Sequence, residues 1–91
     1  MSEELKKEEL ENLVSLDLAR IKRLKTQGHY HSLLDEYEQL RLKFQYEKEM
    51  NRVEVIRFVT LCKFFMNNGH SEAFKLSCRY LFERYMEKFD L

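Results

Sequence analysis

The chain has 91 residues, of which 35% are charged, and its sixteen Lys/Arg and sixteen Asp/Glu cancel to a formal net charge of zero. A chain of this length is one domain, 1–91, that buries roughly 60–65% of its unfolded surface and needs no disulfide to fold. The charge balance removes the footprint of a dedicated nucleic-acid or membrane-surface binder, and the longest apolar run, Phe64-Phe65-Met66, is far below the roughly 20 residues that span a bilayer.

The first predicted helix covers about 3–27. Lys, Glu, Leu and Arg dominate it and lose little rotamer freedom in a helix. Leu10, Val14, Leu18 and Ile21 recur every three or four residues, with Leu13 and Leu24 beside them, so one apolar stripe must pack on something. Residues 1–9 are almost wholly charged and read as solvated or frayed, with acidic groups favouring the helix start. Lys22, Arg23 and Lys25 suit the negative pole at the other end, and Gly28 can adopt the left-handed conformation that closes the helix.

The second predicted helix, about 31–49, opens with Ser32 as the capping residue and Asp35 and Glu36 in its first turn. Tyr30, Leu33, Tyr37, Leu40 and Phe44 form its stripe. The pattern thins toward Asn51, where Asn51 followed by Glu54 has the form of a capping box. Either the chain breaks there, or helices two and three run on as one.

The third helix, about 52–67, carries Val55, Ile56, Phe58, Val59, Leu61, Cys62, Phe64, Phe65 and Met66, which makes it apolar on nearly every side and so central or interfacial. After Gly69, Ser71 caps the fourth helix, about 71–89. There Phe74, Cys78, Leu81, Phe82, Tyr85 and Phe89 form an aromatic stripe that Tyr80 and Met86 widen. Short connections make sequential helices neighbours, so the expectation is an all-α arrangement of two antiparallel helical hairpins.

The two hairpins also resemble the tetratricopeptide repeat. Phe58, Leu61, Cys62 and Phe65, leading into Gly69, look like the first helix and turn of that repeat, and Gly28-His29-Tyr30 with Leu33, Tyr37 and Leu40 looks like its turn and second helix. Leu33 and Leu40 stand where the family usually has Ala, and the two glycines are 41 positions apart, beyond the family period of about 34. The resemblance implies that the first helix of each hairpin lines a concave face, which would set Lys22, Lys25, Lys63 and Asn67 around a small basic groove fit for a carboxylate. Solvated lysines are the plainer reading of the same residues.

Catalytic and metal signatures are missing from the sequence: there is no glycine-rich phosphate loop, no H-E-x-x-H and no G-x-S-x-G. His29, His31, His70, Cys62 and Cys78 lack zinc-module spacing and read as turn histidines and core thiols of an intracellular, cytoplasmic protein. No cofactor is expected. The sequence therefore points to a non-enzymatic interaction module, an adaptor or small regulator, that grips a partner protein or a second copy of itself. Its apolar faces include Tyr80, Phe82, Tyr85 and Met86. The competing expectation is a small, mobile-element-type inhibitor of a nucleic-acid-handling machine, acting through Arg20, Lys22, Arg23 and Lys25, whose charge Asp17, Asp35 and Glu36 dilute.

Overall fold

The computed structural model describes residues 6–46 and 48–87, and it holds four helices: α1 (Lys7–Thr26), α2 (Tyr30–Gln45), α3 (Arg52–Asn68) and α4 (Glu72–Met86). Helices two and three are separate. The expected ends at residues 3–5 and 88–89 lie outside the described residues, while α2 stops four residues short of the expected 49.

Each boundary has a local cause. At the end of α1 the His29 amide donates to the Leu24 carbonyl (3.0 Å) and the Gly28 amide to that of Lys25 (3.0 Å), with Gly28 at φ +87°. These paired bonds satisfy the orphan carbonyls of the last turn and require a left-handed residue where Gly28 stands. α3 starts with the reciprocal box: the Glu54 amide donates to Asn51 Oδ1 (2.8 Å) and the Asn51 amide to Glu54 Oε1 (3.1 Å). At the start of α4, Ser71 Oγ accepts from the Phe74 amide (3.2 Å).

The expected start of α2 is corrected. Its first residue is Tyr30, its N-terminal flank is His29, which makes no side-chain cap, and its first turn has no acidic residue, so Ser32 lies inside the helix. A tertiary anchor replaces the cap: Tyr30 Oη donates to the Asn68 carbonyl (3.1 Å), and its ring stands edge-on to Phe65 at 5.5 Å.

Two antiparallel hairpins, α1–α2 and α3–α4, pack with α3 in the centre, touching all three other helices. Cross-links between α1 and α3 run in one direction, Asp17 to Arg57 and then Lys25 to Asn68, so these helices lie side by side and parallel. Ring contacts from Tyr37 to Phe74 and from Phe44 to Tyr85 place α2 beside α4 in the same sense. The core follows the expected stripes: Leu10, Val14 and Ile21 from α1, Leu33, Tyr37 and Leu40 from α2, and Cys78 and Tyr85 from α4 close around Phe58, Val59, Leu61, Cys62, Phe64 and Phe65 of α3. Thr60, also buried, donates its hydroxyl to the Ile56 carbonyl at 2.6 Å, which satisfies it inside the helix.

One charged group lies where the α1 stripe reads as polar surface. Asp17 is buried, and Arg57 Nε of α3 stands 3.0 Å from its Oδ2 while Arg57 Nη1 reaches Glu36 Oε1 of α2 at 3.2 Å. A single guanidinium thus ties three helices together.

Candidate partner-binding surface

Aromatic packing leaves the fourth helix two-sided. Tyr85 turns inward, nine-tenths buried, against Phe44 (5.4 Å between ring centres) and Phe58 (6.0 Å). Phe82 and Met86 are half-buried and border a small cleft with Leu10, Val14, Val59 and Lys63, of about 120 Å³. Leu76 and Tyr80, one turn apart, face outward at 63% and 59% exposure. Large apolar groups that open together along one helix mark a contact face more often than scattered ones do.

Beside Tyr80 lies a larger open groove of about 690 Å³, between the C-terminal end of α2, the start of α3 and the outer flank of α4. Its floor is Phe44, Met50, Val55, Leu81 and Tyr85, and its polar wall carries Arg41, Lys48 and Arg84. The Tyr80 hydroxyl accepts from Arg84 Nη1 at 3.1 Å, which holds the guanidinium on the rim. Arg41 is already engaged: its Nη2 and Nε donate to Glu38 Oε1 at 2.7 and 3.1 Å, and its Nη1 to Gln45 Oε1 at 2.9 Å. The Glu38 carboxylate bonded to Arg41 raises the affinity of that guanidinium for its proton, so Arg41 stays charged. The loop forming one end of the groove is braced by an ion pair from Lys43 to Glu54, and the Lys43 bond, with the Asn51 amide, holds the Glu54 carboxyl below the usual carboxylate range.

Lys22, Lys25, Lys63 and Asn67, the residues expected around a basic groove, are distributed over α1 and α3. Lys25 Nζ donates to Asn68 Oδ1 (3.1 Å), Asn67 Nδ2 turns back to the Lys63 carbonyl (3.4 Å), Lys63 borders the cleft that also holds Glu11 and Ser15, and Lys22 is exposed on α1. Of the expected contact residues, Tyr80 and Tyr85 meet at the larger groove and Phe82, Met86 and Lys63 at the smaller cleft. Met50, Lys48 and Arg84 are groove residues that spacing along the chain does not single out, because a loop and three separate helices supply the lining.

Among the described residues, no group of three or more His, Cys, Asp or Glu is placed to hold a metal ion. Cys62 and Cys78 are buried free thiols whose pKa values desolvation raises, which disfavours the nucleophilic thiolate form. His70 stacks on Phe74 at 4.5 Å and His31 stands edge-on to Tyr30 at 6.2 Å. No described helix is long and apolar enough to cross a membrane. Comparison with protein-family models, curated proteins and solved structures gives no match.

Proposed function

We propose that this chain is a non-enzymatic protein-interaction module, an adaptor or small regulator, that docks a partner protein on the outer flank of α4 and the adjoining groove. The observation that carries the reading is the outward pair Leu76 and Tyr80, of which Tyr80 borders a groove lined by half-buried apolar side chains. A helix or extended segment laid there would bury both in one contact. The side-by-side packing of α1 with α3 fits a tetratricopeptide-like stacking of the hairpins, with a homodimer through α4 as the simplest assembly. Two reduced core thiols suit a cytoplasmic setting.

A second reading keeps one observation in its favour. Asp17 is buried and Asp17 and Glu36 are both engaged by Arg57, so they offset the exposed Arg20, Lys22 and Arg23 less than their sequence positions suggest. On that reading the α1 surface contacts nucleic acid or a machine that handles it, and the chain acts as an inhibitor.

Quantitative capture from extract of the native cell separates the two. The first reading expects the retained protein to vanish for Leu76→Ser/Tyr80→Ser and to be unchanged by replacement of Arg20, Lys22, Arg23 and Lys25. It fails if capture is instead lost with those four cations.

A further inference from the structure

The chemistry of the larger groove specifies its occupant more narrowly, on the basis of the interaction reading above. Among the described residues that line it there is no carboxylate, while three cations are present. Glu38 neutralises Arg41, which leaves Lys48 and Arg84, both exposed, as the wall cations without an ion pair among the described residues. The smaller cleft differs: there Lys63 shares the lining with Glu11, so that cleft has no net sign. In a chain with balanced charge overall, a wall of one sign facing an apolar floor is a local selection.

We propose that the groove takes an acidic amphipathic segment of a partner protein, with an apolar side chain seated on Phe44, Met50 and Leu81 and carboxylates meeting Lys48 and Arg84. The two kinds of contact divide the work. Exposed ion pairs are weak and salt-screened, so the floor supplies most of the affinity, whereas the cations choose among partners and speed encounter. Arg84 is prepared for this role, because its bond to the Tyr80 hydroxyl fixes the guanidinium at the lip. A planar fork held in place loses less freedom when it meets a carboxylate.

The test is selection of a displayed library of random dodecapeptides on the full chain, followed by fluorescence-anisotropy titration of the enriched peptides. The expected winners carry Asp or Glu beside Leu or Phe. They weaken about tenfold when their acids become Gln or when the chain carries Lys48→Glu/Arg84→Glu, a change of about 1.4 kcal/mol, with the melting temperature of that variant unchanged. Raising salt from roughly 50 to 300 mM lowers their affinity. Enrichment of neutral or basic peptides, or indifference to the charge reversal, overturns the proposal. If neutral apolar peptides win and Tyr80→Ser abolishes them, the interaction reading stands while the acidic partner is lost. If sedimentation shows a dimer that masks the groove, the occupant is a second copy and the proposal falls. If nothing is enriched the proposal also falls, and the interaction reading is then judged by the Leu76/Tyr80 capture alone.

Discussion

At the residue scale, the two glycines are required for different reasons. Gly28 sits at φ +87° with nothing within 4 Å of an added Cβ, so its cost to other residues is conformational. Gly69 is extended, but a Cβ there would lie 2.8 Å from the Phe65 carbonyl oxygen and 2.7 Å from the Phe74 ring. Gly28→Ala is expected to cost about 1 kcal/mol and Gly69→Ala about 2 kcal/mol, read from urea titrations. Equal costs would contradict the steric account of the second turn. Both turns are visible in the sequence as glycines, but the close approach at Gly69 depends on where Phe74 packs and is invisible there.

The same scale holds a pH prediction. Desolvation raises the pKa values of Tyr37, Cys62, Cys78 and Tyr85 above their ordinary ranges. The unfolded chain therefore releases these protons first as pH rises. Their contribution to stability is complete below the unfolded pKa values and declines above about pH 8.5. Thermal melts across the alkaline range should show falling midpoints, and Cys62→Ala/Cys78→Ala should delay the onset of that fall. An alkaline profile with the same onset in that variant would contradict the assignment.

At the element scale, the apolar stripes, the Asn51 box and the Ser71 cap were legible, because each depends on residues within one or two turns, whereas the break between α2 and α3 was left open. The start of α2 was not legible. Tyr30 is held by Asn68 and Phe65 from the other hairpin, and no local pattern carries that information. Asp17, read from sequence as an acid diluting the nearby basic residues, is instead buried against Arg57 of α3, a partner no local pattern reveals. Arg57→Met is expected to destabilise by about 2 kcal/mol, below the cost of breaking a fully buried pair because Arg57 keeps some solvent contact. Asp17→Asn in that background should restore part of the loss. Additive losses in the double-mutant cycle would show that the pair is not coupled.

At the scale of the whole molecule, the proposed function rests on what packing leaves uncovered. The aromatic stripe of α4 was readable as a sticky face, but the sequence does not say which of its residues turn inward. Tyr85 is taken by Phe44 and Phe58, whereas Leu76 and Tyr80 remain outside. The groove was not legible at all, since its wall and floor converge from α2, α3, α4 and a loop only after folding. Site-specific photo-crosslinking in the native cell tests the placement of this surface most directly. With p-benzoyl-phenylalanine at position 80, one discrete protein adduct is expected, and none from the same probe at Leu16 on α1, which is more exposed than Tyr80. No adduct at 80, or an identical adduct from both positions, would contradict that placement.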